Sequence, residues 1–206
     1  MAPDQDPSPG TAPSTWLTPS HLLEYLYCPR FTFYEYVLGV PEHQGLRFKV
    51  QKGREIHEER TKVNPSYLRR KLGVTAREND VELDCPALGI RGIVDEVLTL
   101  DDGTMAPLDY KYAEWKGRIF KNQKAQAAMY GLMIQHIYQR PVQRAFFCYT
   151  RSQYKIEELQ ITPDLYTRTL RDIEDCLEVI QNGYFPQPTS AVKRCGDCCY
   201  RNICIK

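Results

Sequence analysis

Residues 89–111 read GIRGIVDEVLTLDDGTMAPLDYK. From about Ala76 onward, apolar and polar residues alternate with a period of two, which predicts strands rather than a helix. The Asp-Asp-Gly run at 101–103, between two apolar segments, is typical of a hairpin turn. It would return the chain along residues 105–112 as a paired strand. The sequence therefore predicts a β-hairpin in the middle of the chain.

The predicted hairpin carries two carboxylates and an amine. Alternation places Asp95 on the strand face of Ile93 and Val97, where a carboxylate needs a cation because an unpaired buried charge is costly. Asp109 and Lys111 are two residues apart and share one face of the returning strand. Carboxylate oxygens suit Mg²⁺ or Mn²⁺, and such an ion polarises a phosphoryl oxygen and lowers the pKa of water. The pattern indicates a metal-dependent phosphodiester-cleaving site; the alternative is a surface cross-strand ion pair.

Two further motifs flank the hairpin. His57 follows Gly53 by four positions on a helix predicted around 48–61, and its imidazole would suit Mn²⁺. Gln126 and Tyr130 are four apart and share a face of the helix predicted over 120–138, where an amide and a phenol can hold a phosphate or a base. The alternatives are an ordinary structural histidine and a plain helix surface.

A basic segment follows the hairpin, with Glu114 as its acidic residue and with Trp115 and Phe120 interleaved. This combination resembles a single-strand binding surface, in which cations contact phosphates and aromatic rings stack on bases. The alternative is a solvated loop. The basic residues are Lys111, Lys116, Arg118, Lys121 and Lys124.

Composition bounds the remaining possibilities. The 206 residues are 42% hydrophobic and 26% charged, which is typical of a globular domain, and a net charge of +1 provides no global basic field. No run approaches the roughly 20 apolar residues of a membrane span. Residues 1–16 are proline-rich and lack the features of a signal peptide, so we expect a disordered tail on a cytoplasmic protein.

Other elements are predicted from caps and periodicity. Thr18-Pro19 opens a helix, and a helical path resumes over residues 31–37. Strands fit residues 143–150 and 154–161. Thr162-Pro163 opens a long helix that Asn182-Gly183 ends.

Eight cysteines complete the pattern. In a reducing cytosol, clustered thiols are more often metal ligands than disulfides. Cys195-x-x-Cys198 and Cys204 form a cluster, with Cys199 as a neighbour that leaves one ligand position ambiguous. The expected buried structural thiols are Cys85, Cys148 and Cys176.

The order of these motifs resembles the RecB-type nuclease branch of the PD-(D/E)XK superfamily. The resemblance implies an α/β restriction-endonuclease-like core, a central mixed sheet flanked by helices. It further implies that a Mn²⁺ or Mg²⁺ ion is bound and that Lys111 is catalytic with Asp95 and Asp109. The implied metal ligands are His57, Asp95, Asp109 and the backbone carbonyl of Tyr110, and the implied DNA-positioning residues are Gln126 and Tyr130.

The cysteines resemble the split site of iron-sulfur nucleases in that branch. The resemblance implies one [4Fe-4S] cluster that joins the chain ends, although a [2Fe-2S] cluster and zinc remain alternatives. A nuclease domain over 17–184 and a C-terminal cysteine-rich segment over 185–206 follow. The implied ligands are Cys28, Cys195, Cys198 and Cys204.

The whole arrangement is similar to the fourth Cas family of CRISPR-associated exonucleases. That resemblance implies trimming of single-stranded DNA or overhangs, 5'-3', during spacer acquisition, with selection by the protospacer-adjacent motif. It implies the CRISPR integrase and its small partner subunit as partners. Two alternatives remain open: an iron-sulfur nuclease of repair, recombination or a mobile element, and a non-catalytic DNA-binding subunit.

Overall fold

A computed structural model describes residues 13, 15–41 and 72–205. Within them one mixed sheet has its strands in the order β1-β2-β3-β4-β5. Neighbours are antiparallel except β3 and β4, which are parallel. The predicted α/β class with a central mixed sheet is therefore confirmed. The strands are β1 (Val74–Cys85), β2 (Ile90–Leu100), β3 (Met105–Lys111), β4 (Arg144–Tyr149) and β5 (Lys155–Gln160).

Two helices begin where the caps predict. Thr18 and Thr162 each accept a hydrogen bond from a backbone N–H three residues on, and Gly183 ends the last helix with a left-handed φ of 64°. A turn of π-helix over Phe33–Val37 follows the second helix. The predicted helix around 48–61 and most of the predicted tail lie outside the described residues. The helices are α1 (Pro19–Tyr27), α2 (Pro29–Thr32), α3 (Lys121–Tyr138) and α4 (Pro163–Asn182).

Helix α3 connects β3 to β4, because parallel neighbours require a crossover connection. It packs on one face of the sheet, where Met129 of the helix joins Val97 and Phe147 of the strands in the larger apolar cluster. A smaller cluster with Leu98 and Phe146 covers the opposite face. The middle of β2 is thus buried on both sides, which brings any polar residue there into a low-dielectric setting.

One predicted burial is wrong. Ile93, expected to share an apolar neighbourhood with Asp95 and Val97, is 53% exposed, whereas Val97 is 1% exposed. The paired register of β2 with β3 runs only as far as Glu96 and Leu108. Ile90, Val94 and Val97 all belong to the larger apolar cluster, although positions 94 and 97 are an odd number of residues apart. Strict alternation therefore fails between Val94 and Val97, and Ile93 faces away from that cluster.

The C-terminal segment packs beside α1 and α2. Cys28, Phe31, Tyr34 and Tyr200 form a third buried cluster. Across the part of the chain that the structure describes, no helix is long and apolar enough to cross a membrane. The other thiols are buried as predicted; these are Cys85, Cys148 and Cys176.

Candidate active site and cysteine cavity

The site begins where the β2–β3 ladder ends. Beyond the pair Glu96–Leu108, the backbone N–H of Tyr110 donates a 2.8 Å hydrogen bond to Asp95 Oδ2. Asp95 is 6% exposed, so its carboxylate satisfies a backbone donor inside the protein. Alternation from Val97 directs this side chain toward α3. A carboxylate therefore occupies the point at which the two strands diverge.

A chain of polar contacts runs from β3 into α3. Lys111 Nζ lies 2.7 Å from Asp109 Oδ2 and donates a 2.6 Å hydrogen bond to Gln126 Oε1. Gln126 Nε2 lies 3.1 Å from Tyr130 Oη. Gln126 and Tyr130 are 8% and 5% exposed, so the alternative of a plain helix surface is wrong. The i, i+4 spacing places both on the face of α3 that packs against the sheet.

Asp109 has one unsatisfied oxygen. Its contact with Lys111 is short, but the angles are not those of a hydrogen bond, and Asp109 Oδ2 is buried without a hydrogen bond among the described residues. A buried carboxylate oxygen in that state favours a further cationic ligand. With the Asp95 carboxylate nearby in the fold, the donor set fits a hard divalent cation.

The opposite face of β3 carries a network that the sequence analysis missed. The Tyr110 hydroxyl donates a 2.7 Å hydrogen bond to Glu96 Oε1, and Arg77 Nη1 lies 3.4 Å from the same oxygen. Glu96 is 4% exposed. Alternation was the available signal, since it places Glu96 and Tyr110 opposite their neighbours Asp95 and Asp109. The network fixes the backbone that carries both site carboxylates.

Cations and aromatic rings form a rim beyond the carboxyl end of β3. Arg151 Cζ lies 5.6 Å from the Tyr112 ring centroid, and Lys155 Nζ lies 5.2 Å from that of Trp115. Glu114 pairs with both Lys116, at 3.0 Å, and Arg151, at 3.3 Å. The hydrogen bond and charge of Lys116, with the charge of Arg151, hold the pKa of Glu114 below its usual value.

We call this surface the cation–aromatic rim. Lys116, Arg118 and Lys121 are exposed there, as a binding role requires. Trp115 is half-buried and packs on the Tyr149 ring at 5.0 Å, so one of its faces is committed to the core. Sequence reasoning missed Arg151, in the turn after β4, and Lys155, at the start of β5. Both follow the basic segment by about thirty residues. The rim consists of Tyr112, Trp115, Lys116, Arg118, Phe120, Lys121, Arg151 and Lys155.

A second candidate site is a cavity of about 200 Å³ between the segment of α1 and α2 and the C-terminal segment. Its lining includes four thiols, and no disulfide joins cysteines in the described ranges. Burial raises the pKa of Cys198, with smaller contributions from the charges of the other three thiols. Cys199 packs in the same cluster but does not line the cavity. The cavity thiols are Cys28, Cys195, Cys198 and Cys204.

The thiol set fits a soft metal centre in its chemistry, since four sulfur ligands suit iron-sulfur clusters and zinc. Within residues 15–41 and 72–205, no group of three or more His, Cys, Asp or Glu side chains is arranged around a single metal position. His57 lies outside the described residues. The structure thus brings Asp95, Asp109 and Lys111 together at one site, and the cysteines at another.

Comparison with known proteins identifies the family. The sequence model of the PD-(D/E)XK nuclease superfamily matches residues 57–205 of this chain. The chain is 34% identical over 191 residues to a CRISPR-associated exonuclease Cas4 from Thermoproteus tenax, with 93% of this chain and 94% of that protein covered. The chain belongs to the Cas4 family of PD-(D/E)XK nucleases.

Other matches agree with this family. A Cas4 exonuclease from Francisella tularensis subsp. novicida is 25% identical over 183 residues, covering 88% of this chain and 89% of that protein. The crystal structure of SSO0001 has a TM-score of 0.55 at 16% identity, covering 94% of this chain and 87% of that one. That likeness concerns the fold alone. The family match spans both the Asp109–Lys111 motif and the C-terminal cysteines.

Proposed function

We propose that this Cas4-family chain is a metal-dependent exonuclease that acts on single-stranded DNA or overhangs. The observation that carries the proposal is the contact set of Asp109, Lys111 and Gln126, in which an ammonium lies 2.7 Å from a buried carboxylate oxygen. Beside it, Asp95 supplies a second buried carboxylate. Two acids can hold a metal ion for phosphodiester hydrolysis, and a neighbouring lysine can stabilise charge that develops on the phosphate.

Asp95 and Asp109 would hold the metal, with His57 and the backbone carbonyl of Tyr110 as further ligands by family resemblance. A Mn²⁺ or Mg²⁺ ion supplies a Lewis acid that polarises the phosphoryl group and lowers the pKa of water. Asp109 Oδ2 supports this assignment, because it is buried and accepts no hydrogen bond among the described residues, so it retains lone pairs for a divalent cation.

Lys111 is proposed as the catalytic lysine. Its Nζ forms an ion pair with Asp109 Oδ2 and donates one hydrogen bond, to Gln126 Oε1, so further ammonium hydrogens are available to orient water or a phosphate oxygen. Gln126, which contacts Tyr130, fixes this orientation. Gln126 and Tyr130 would then position DNA indirectly, by holding Lys111 at the end of β3.

The cation–aromatic rim supports single-stranded substrates. Its arginines and lysines can contact phosphates, and exposed faces of Tyr112 and Phe120 can stack on bases. Cleavage in the 5'-3' direction is proposed from the family resemblance alone.

The proposed process is the trimming of prespacers in a prokaryotic cytoplasm, with help in selecting the protospacer-adjacent motif. The relatives named CRISPR-associated exonuclease support this context. The CRISPR integrase and its small partner subunit are the proposed protein partners.

The four cavity thiols are proposed to hold one [4Fe-4S] cluster in a structural role. Their convergence from two ends of the chain supports this, because one ligand set would hold both ends together. Zinc would serve the same purpose with the same ligand count.

The test is cleavage of 5'-labelled and 3'-labelled single-stranded DNA by anaerobically purified protein with Mn²⁺. Asp109→Ala should abolish cleavage, and Asp164→Ala, an exposed acid on α4, is the matched control. Iron, sulfide and zinc contents are measured on each sample. Absence of cleavage by folded, metal-loaded wild type would contradict the proposal and favour a DNA-binding subunit. If the protein cleaves DNA but deletion of its gene leaves spacer acquisition intact, the result would favour a repair nuclease.

A further inference from the structure

Arg30 contacts four residues of the C-terminal segment. Its Nε donates a 2.9 Å hydrogen bond to the Pro186 carbonyl, and its guanidinium carbon lies 4.3 Å from the Phe185 ring centroid. Its Nη1 donates to the Ile205 carbonyl and lies 3.8 Å from Cys204 Sγ. One side chain two residues after Cys28 therefore binds the start and the end of the segment that carries the other cavity thiols.

Arg194 makes a different connection. Its Nη1 donates 2.8 Å hydrogen bonds to the carbonyls of Leu26 and Tyr27, and its own carbonyl accepts a 2.6 Å hydrogen bond from the Tyr27 hydroxyl. Arg194 is adjacent to Cys195, so the first cysteine of the segment has its own attachment to α1. Cys204 lies nine residues further along, beyond that attachment.

The end of the segment needs a separate constraint. Tyr200 is buried, and its carbonyl accepts a 2.9 Å hydrogen bond from the Cys204 N–H. Ile203 and Ile205, on either side of Cys204, are 52% and 73% exposed, so apolar burial contributes little beyond Tyr200. Tyr34 adds a 3.2 Å hydrogen bond to the Ile203 carbonyl. The planar guanidinium of Arg30 suits the constraint of this end, because its N–H donors point in fixed, divergent directions and can bind several acceptors at once.

We propose that Arg30 is a positioning residue that latches the C-terminal segment across the cavity and holds Cys204 in place. The inference rests on the proposed thiol site, but the latch itself concerns protein contacts and exists without metal.

The test compares the alkylation rates of Cys204 and Cys195 in metal-free protein, measured by mass spectrometry with iodoacetamide. Arg30→Gln should raise the rate at Cys204 about tenfold relative to Cys195, and Arg194→Gln should favour Cys195 instead. Arg201→Gln is the matched control, since Arg201 lines the same cavity but donates to Gly196 within its own segment, at 3.1 Å.

Arg30→Lys separates geometry from charge, since a lysine keeps the charge and loses the fork. It should behave like Arg30→Gln, and wild-type behaviour of this variant would overturn the latch. Equal rates for Arg30→Gln and Arg201→Gln would overturn it as well. If Arg30→Gln does not fold, Phe185→Leu removes the ring beneath Arg30 and should raise Cys204 labelling by a smaller factor.

A chelator challenge of metal-loaded protein gives a second readout. Loss of metal from Arg30→Lys should be about 10- to 100-fold faster than from Arg201→Gln, the range for residues that support metal ligands. A wild type without metal would refute the proposed cluster while the alkylation result still decides the latch. The two failures are therefore distinguishable.

Discussion

Tyr110 N–H and Asp95 Oδ2 are joined by a hydrogen bond of 2.8 Å across the end of the β2–β3 ladder. The site carboxylate thus takes the place of a backbone acceptor where the strands separate. Asp95 consequently serves the fold and the proposed chemistry together, and substitutions at this position can separate the two.

Asp95→Asn should retain the fold and lose cleavage. The amide oxygen can still accept the Tyr110 hydrogen bond, whereas the negative charge needed for a cation is gone. Asp95→Ala should in addition lower the free energy of unfolding by about 1–3 kcal/mol, because a buried donor is left unsatisfied. Denaturant unfolding and Mn²⁺-dependent cleavage of the two variants check this. Equal destabilisation by both substitutions would contradict it.

Gln126→Ala should lower the rate of cleavage more than the affinity for DNA. The substitution removes the 2.6 Å acceptor that orients Lys111 but leaves the ammonium in place. We expect kcat to fall by about 10- to 100-fold, with KM changed by less than about threefold. Lys111→Ala, the reference for complete loss, should abolish cleavage and leave DNA binding largely intact.

Tyr130→Phe is a milder substitution that tests the same chain of contacts as Gln126→Ala. It removes the hydroxyl that Gln126 Nε2 contacts at 3.1 Å, so its effect should resemble that of Gln126→Ala but be smaller. A loss of DNA affinity that accounts for the whole loss of activity would instead assign Gln126 and Tyr130 to direct DNA contact.

The features predictable from sequence were those carried by short spacings. The period of two predicted the hairpin with Asp109 and Lys111 on one face, and Thr162 and Gly183 marked the ends of a helix. Each of these signals lies within a few residues of the feature it predicts. Local backbone geometry dictates such features before tertiary packing acts.

The rest depended on contacts between distant segments. Ile93 is exposed because strict alternation fails between Val94 and Val97, which join the same apolar cluster, and the sequence pattern does not reveal that break. Gln126 meets Lys111 because α3 crosses back over β3, and Arg30 meets Cys204 across 174 positions. In such cases the residue types were visible in the sequence, but their partners required the topology.

Glu114→Gln should strengthen binding of single-stranded DNA. Glu114 neutralises Lys116 and Arg151 in the cation–aromatic rim, so its removal frees two cations for phosphates. We expect Kd to fall about two- to threefold and its dependence on salt concentration to become steeper. The matched control is Glu174→Gln, which makes the same change of charge at an exposed position on α4. Fluorescence anisotropy across a salt series measures both.

An equal gain of affinity in Glu174→Gln would mean that net charge, rather than the rim, governs binding. A loss of affinity in Glu114→Gln would indicate that the ion pairs hold the rim in its binding shape. Either result would contradict the proposed role of these cations.

Cys198→Ser and Cys199→Ser form a matched pair of adjacent substitutions. Cys198 lines the cavity with Cys28, Cys195 and Cys204, whereas Cys199 packs beside it without lining the cavity. Cys198→Ser should therefore lose bound metal and any visible absorbance, as should Cys204→Ser, while Cys199→Ser should retain both. Metal analysis, the visible spectrum and thermal unfolding of anaerobic samples measure the difference. Because a structural cluster contributes to folding, Cys198→Ser should also unfold at a lower temperature, and a metal-free variant of undiminished stability would contradict the structural role.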